Sequence, residues 1–302
     1  MVDVRTASFE ETNKALARKR TRSKIGKILA MAFIYFVLVL MYAPLLYITV
    51  FSFTDAGTTG VWSGFSLETY KTLFNPFEYP KVEELWIAVG NTILVAVVSG
   101  LLSTLLGTLG AIGIYYSRKK WFKNSLEFIN QIPVVNAEIV TAVSLCILFV
   151  FFTKTFGIER NFFSLVIGHI VLTIPYVVMS VEPKLEQMDP SLYEAAMDLG
   201  ATQTQALMKI VIPDIFPGIL SGFMLAITLS LDDYVITAFT RPGSFATIST
   251  FVDEKMKRGG LPIQLRSFTA IIFVIILIVM IVINVRSAVN ARKIEKKEKG
   301  VN

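Results

Sequence analysis

The sequence predicts an all-α membrane protein with six transmembrane helices and both termini in the cytoplasm. Three observations carry this reading. Of the 302 residues 54% are hydrophobic and 17% charged, the charges are spaced so as to leave six long apolar stretches, and the lysines and arginines fall unevenly between those stretches. Soluble domains usually carry about 25% charged residues, so a soluble enzyme is excluded at the outset. One cysteine, Cys146, rules out an internal disulfide framework, and the single histidine, His169, leaves no Cys/His cluster for a structural metal. No catalytic residue, metal or cofactor is expected. The runs are continuously apolar rather than alternating, which favours helices over barrel strands.

Residues 1–27 form a basic tail containing the run RKRTRSK. It abuts a span, as KIEKKEK does near the other end, so membrane topology and anionic lipid headgroups account for both runs, and no nucleic acid is expected. The first span covers 28–54, which are 27 uncharged residues between Lys27 and Asp55. That is longer than the ~7–15-residue apolar region of a cleavable signal peptide, and no small-residue cleavage site follows, so it reads as a retained anchor. Residues 55–84 form an acidic external loop, with Asp55, Glu68, Glu78, Glu83 and Glu84 opposing Lys71 and Lys81. Long external loops are usually solvated linkers; docking of an external partner is the sharper alternative.

A core of five further spans occupies 85–285. The second span lies among the 33 uncharged residues between Glu84 and Arg118, and the third in 128–153, where the only charge is Glu138. The fourth falls in the 21 uncharged residues between Arg160 and Glu182. The fifth runs from 215 to 231, meets Asp232 and Asp233, and continues apolar to Thr240. The sixth lies in the 19 uncharged residues between Arg266 and Arg286, followed by a basic cytoplasmic tail, 286–302. With the N-terminus inside, 20 of the 29 lysines and arginines are cytoplasmic, as the positive-inside rule requires.

The loop 182–217 is too long for a plain connection of about 2–8 residues. Ser191 with Glu194 reads as a capping box after Asp189-Pro190, Gly200 as a helix stop, Thr202 with Gln205 as a restart, and Pro213 as the end of the second helix. Six acids against Lys184 and Lys209 argue against an interfacial helix pair, which is typically basic, and for a docking element.

Here the residues carry a family resemblance. EAAMDLGATQTQALMKIVIP has Glu194, Ala195, Ala196, three residues, Gly200, nine residues, then Ile210, Ile212 and Pro213. This resembles the signature of permease subunits in binding-protein-dependent ATP-binding-cassette importers, with Ile212 standing where the pattern has leucine. The resemblance implies the type I importer permease fold, with the loop acting as the coupling helix that fits a cleft of an ATPase subunit. GNTILVAVVSGLLSTLLGTLGA from Gly90, IGHIVLTIPYVV from Ile167 and LSLDDYVITAFTRPGS from Leu229 extend the likeness, most closely to the second permease subunits of spermidine/putrescine importers. Implied partners are two copies of an ATPase subunit, a second homologous permease, an extracytoplasmic polyamine-binding protein and membrane lipid. The implied location is the bacterial cell membrane.

Ionisable residues at membrane depth are functional candidates. Glu138 is expected about ten residues into its span, near the middle, and Asp232 and Asp233 toward the outer half of the fifth helix. Carboxylates at successive depths can replace the hydration of a polyammonium ion with charge-assisted bonds. Each acid also admits a plainer role, as a helix–helix hydrogen bond or a boundary residue at the headgroups. By resemblance, Glu138, Ser230, Asp232 and Asp233 belong to the translocation path. His169 is expected to bond a neighbouring helix. The chain has no G-x-x-x-x-G-K-[ST] phosphate loop, so energy from ATP must come through a partner. A proton-coupled secondary transporter, an intramembrane enzyme, and a permease for another small cation or an iron or sulfate complex are the competing readings.

Overall fold

The computed structural model describes the backbone of residues 2–57, 60–258 and 262–299, and side chains of 26–57, 60–258, 262–286 and 289. The basic side chains of the tails up to Lys24 and beyond Arg286 lie outside the described side chains. Among the described residues the secondary structure is helical throughout: α1 Val2–Phe51, α2 Glu68–Leu73, α3 Pro80–Tyr115, α4 Lys120–Val135, α5 Glu138–Phe156, α6 Phe162–Gln187, α7 Pro190–Asp198, α8 Gln203–Ala206, a π-helical turn Leu207–Val211, α9 Ile212–Asp232, α10 Val235–Thr240, α11 Ile248–Lys257 and α12 Gln264–Lys299. Six stretches are long and apolar enough to cross a bilayer: Gly26–Phe51, Pro80–Tyr115, Glu138–Phe156, Phe162–Gln187, Gln203–Asp232 and Gln264–Arg286. Each of the six expected spans overlaps one of these stretches, two of them only in part.

The chain forms two compact units, one of residues 1–75 with 262–302, the other of 76–261. In the first unit α1 and α12 pack together with the short α2. Arg266 donates to the Ala56 carbonyl (3.1 Å), and Ser52 and Tyr70 share a hydroxyl hydrogen bond. None of the best apolar window of α1 is buried, as suits a lipid-facing anchor.

In the second unit α3, α6 and α9 pack as three mutually contacting helices. Ala111, Ile112 and Ile114 of α3 meet Val177, Val178, Val181 and Leu185 of α6 and Ile215 of α9. Lipid is as apolar as leucine, so such helices associate by close packing and polar bonds rather than by escape from water. Both devices are visible. A Cβ on Gly107 would lie 2.7 Å from the Val177 Cβ, so α3 and α6 touch only because glycine stands there. Ser103 and Thr173 bond between the same helices at 2.6 Å. Gly107→Leu is expected to destabilise this unit by about 1–3 kcal/mol, the usual cost of overpacking, read as a lower thermal aggregation temperature in detergent.

Two expected spans are broken. Residues 128–153 do not form one helix: Asn136 and Ala137 have extended backbone, so α4 ends at Val135 and α5 starts at Glu138. Pro133 lies in the last turns of α4, where its missing N–H and its ring weaken helix continuation. The fifth span likewise ends at Asp232, with Asp233 extended (ψ 130°) and the short α10 beyond. Glu138 therefore opens a helix instead of lying ten residues into one, and the two aspartates sit at a helix break instead of on successive helical positions.

The loop between α6 and α9 is the expected helical hairpin, with two corrections. Asp189, not Ser191, caps α7: its carboxylate accepts the Ser191 N–H at 2.9 Å, with Pro190 at the first helical position. Pro213 does not end a helix; α8 passes through the π turn into α9, and Pro213, which has no N–H to donate, comes just after that turn. The glycine corner is as expected. Gly200 has φ +88°, the Ala201 N–H bonds the Ala196 carbonyl (3.0 Å) and the Gly200 N–H bonds that of Met197 (2.9 Å), a Schellman closure. Thr202 and Gln205 then form a reciprocal capping box.

The Ser191 backbone N–H, and then its hydroxyl, hold the Asp189 carboxyl below its ordinary value. A lowered folded-state pKa contributes stability that is fully present above the unfolded value of about 3.9 and is lost as pH falls through the lower one. Amides of 190–199 should therefore lose exchange protection in acid, after correction for intrinsic rates. Asp189→Ala should weaken protection at neutral pH and abolish that acid step.

Candidate functional site

The two helix breaks meet. α5 packs along α10, with Ala142 and Leu145 against Ile236 and with Leu172 of α6 completing the cluster. This brings Glu138, first residue of α5, within electrostatic reach of Asp233 and Asp232. Glu138 and a pair of adjacent acids more than ninety positions later in the sequence thus gather where two helices are interrupted. Interrupted helices in transporters commonly mark ion and substrate sites, because freed backbone groups and helix ends face a cavity there.

The three acids differ in what their carboxylates do. Asp233 is 5% exposed and committed internally. Its Oδ1 accepts the Ile236 N–H (3.1 Å), and its Oδ2 accepts both the N–H (2.8 Å) and the hydroxyl (2.7 Å) of Thr237. It is the C-cap residue of α9, one position before the Tyr234 N-cap of α10, and its bonds to the first turn of α10 compete with continuation of α9. Its own carbonyl, freed by the break, accepts the Ser249 hydroxyl at 2.8 Å. Glu138 and Asp232 are exposed. Among the described residues neither has a cationic partner or a hydrogen-bond donor on its carboxylate.

Ser230 is also internal, 3% exposed on α9. Its hydroxyl lies 2.7 Å from His169 Nδ1 on α6 and 3.1 Å from the Ser99 hydroxyl on α3. His169 Nε2 is 3.0 Å from the Thr237 hydroxyl and 3.7 Å from Asp233 Oδ2. His169 bonds neighbouring helices as expected, and it also joins the aspartates, which the sequence leaves on a separate span. Ser230, His169 and Asp233 stand in a serine–histidine–acid row. With Ser230 wedged between α3 and α6, that row ties helices together and presents no hydroxyl to a substrate. Thr237 and Ser99 are not among the residues the sequence singles out. For Thr237 a signal is present: an aspartate just ahead of a short apolar run can accept from the backbone N–H groups that follow it, which favours a helix break there.

The signature residues lie elsewhere in the unit. From His169 to Gln187 at the end of α6 is about 27 Å at 1.5 Å per residue, and the hairpin follows. Glu194 and Ala195 are exposed on α7, with Ala196 half-buried behind them. Leu199, at the corner before Gly200, is 90% exposed, an aliphatic side chain presented at the apex. Tyr193 turns inward: its ring lies 5.3 Å from that of Tyr116 at the end of α3. Ile210 in the π turn and Ile212 at the head of α9 are half-buried, and Pro213 is exposed.

The sequence profile of binding-protein-dependent transport system inner membrane components matches residues 103–296. The chain belongs to that family. It is 31% identical to the putrescine transport system permease protein PotI of Escherichia coli (strain K12), over 74% of this chain and 78% of that one. To the spermidine/putrescine transport system permease protein PotC of the same strain it is 30% identical, over 85% and 93%. To PotC of Haemophilus influenzae it is 32% identical, over 76% and 86%. A bacterial ABC transporter involved in import of the acidic polysaccharide alginate shares the fold, with TM-score 0.62 at 15% identity, covering 87% of this chain and 96% of that chain. As an inner membrane component of this family, the protein is an integral pore subunit, and its named relatives are transport permeases rather than enzymes.

Proposed function

We propose that this permease passes polyamines, spermidine or putrescine, through a path on which Glu138 and Asp232 are the substrate-facing acids. The observation that carries the reading is the pair of exposed carboxylates, free of cationic partners among the described residues, gathered at two helix breaks. A polyammonium ion supplies several N–H donors and the positive charge this cluster lacks, and charge-assisted bonds replace the water it sheds. The polyamine permeases among the relatives support the same substrate class. Ser230 and Asp233 belong to this site as its frame, fixing the break from which Asp232 projects.

The hairpin α7–α8 is the docking element for an ATPase subunit, with Glu194, Ala195, Ala196 and Gly200 forming the knob and Ile210, Ile212 and Pro213 its root on α9. Two ATPase copies, a second permease and an external polyamine-binding protein complete the importer. Both termini and the hairpin lie in the cytoplasm, and ATP is hydrolysed in the partner. ATP binding draws the two hairpins together and opens the cavity outward; hydrolysis resets it. Competition tests the substrate class: with the complete complex in proteoliposomes, unlabelled polyamines should suppress ATP-dependent uptake of labelled spermidine. Suppression instead by sulfate or iron chelates would assign the path to that cargo.

A further inference from the structure

We propose that His169 is a positioning residue of the path, held as the neutral Nε2–H tautomer and setting the direction in which Asp232 projects. The inference rests on the polyamine reading above for its transport arm only. The tautomer follows from a proton inventory. Thr237 has one hydroxyl proton and gives it to Asp233 Oδ2 at 2.7 Å. Its oxygen can then only accept, so His169 Nε2, 3.0 Å away, carries the hydrogen. A charged ring only 1% exposed would need a carboxylate hydrogen-bonded to it, and Asp233 Oδ2 stands 3.7 Å off; the ring is therefore neutral, Nδ1 is bare, and Ser230 donates to it at 2.7 Å. Ser99, 3.1 Å from Ser230, sends its own proton to the Val95 carbonyl at 2.7 Å. Every hydroxyl proton is used once, and the longer Ser99–Ser230 approach is left as an oxygen–oxygen contact without a hydrogen of its own.

The geometry gives this chain a purpose. One ring joins α6 to Ser230, two residues before Asp232 on α9, and to Thr237 on α10, across the break between those helices. α6 reaches α10 this closely because Gly168 precedes the histidine: a Cβ there would lie 2.8 Å from Ile236 Cγ2. Both ends of the interrupted helix are therefore registered on α6, and the exposed carboxylate between them inherits that register. Removing the ring leaves Ser230 and Thr237 without their shared partner and the break free to reorient.

Because His169 is the single histidine of the chain, nitrogen NMR of the histidine-labelled permease, freed of any histidine tag, reads one imidazole. A protonated Nε2 with an unprotonated Nδ1 at neutral pH is expected; a protonated Nδ1 overturns the assignment. In the reconstituted complex, His169→Leu should raise the KM for spermidine about tenfold, the effect of one charge-assisted hydrogen bond lost or misdirected. His169→Gln, whose amide can donate toward Thr237 and accept from Ser230, should restore it to within about threefold. A His169→Leu protein that assembles with its ATPase and keeps the wild-type KM overturns the positioning role. If His169→Leu does not assemble, the comparison passes to His169→Gln and His169→Asn: equal KM values for the two overturn it, because the shorter amide cannot span both hydroxyls. Wild-type protein that takes up no polyamine would instead defeat the substrate reading and leave the tautomer result standing.

Discussion

Neutralising Glu138 and Asp232 together is expected to lower kcat/KM for spermidine uptake by about 100-fold or more while leaving membrane insertion and complex assembly intact. Each carboxylate offers a charge-assisted hydrogen bond of about 1.5–3 kcal/mol, and both are exposed at the start of α5 and the end of α9. Removing charge from groups without internal partners should cost the fold little. Asp233→Asn should behave in the opposite way. Asp233 accepts three hydrogen bonds within the protein, and an amide in its place turns a donor toward one of those donors. A loss of stability of about 1–3 kcal/mol follows from the unsatisfied group, seen as a lower melting temperature. Labelled-spermidine uptake and thermal melts on these two variants separate the two roles. Glu138→Gln/Asp232→Asn protein with wild-type uptake would remove these acids from the path.

Gly200→Val is expected to disable coupling. A Cβ at Gly200 meets nothing within 4 Å, so sterics with neighbours are no obstacle; the obstacle is φ +88°. That conformation costs an L-residue about 1–2 kcal/mol, and more for a β-branched one, whereas asparagine adopts it with less strain. The Schellman closure through Ala196 and Met197 depends on it, and so does the placement of Leu199 at the apex. Gly200→Val should therefore insert normally but co-purify with roughly tenfold less ATPase subunit, by the same conformational cost. Gly200→Asn should retain most of the association. Equal association for glycine and valine would mean that the corner is not part of the docking surface.

The contrast between these sites shows what the sequence makes legible. The six spans are readable from charge-free windows because lipid penalises every unpaired charge along a crossing. The hairpin is readable because Gly200 and the Thr202–Gln205 pair act within a few residues of themselves. Asp189 is not distinguished as the cap by composition, because Asp-Pro-Ser offers two candidates two positions apart, and only the fixed φ of Pro190 at the first helical position favours the former. The helix breaks at Asn136 and Asp233 were not readable. Windows 128–153 and 215–240 look continuous by composition, and the interruption at Asp233 is held by Thr237 and, through it, by a histidine on α6. For the same reason four path candidates named together in sequence divide in space into two exposed acids and a buried pair.

The central claim, that an acidic path in this inner membrane component is driven through its α7–α8 hairpin by a separate ATPase, meets its most direct test in ATP hydrolysis. In proteoliposomes holding the permease with its ATPase, partner permease and binding protein, hydrolysis should rise when spermidine-loaded binding protein is added. That rise should vanish with Gly200→Val. Spermidine uptake that needs no ATPase and follows an imposed proton gradient would contradict it.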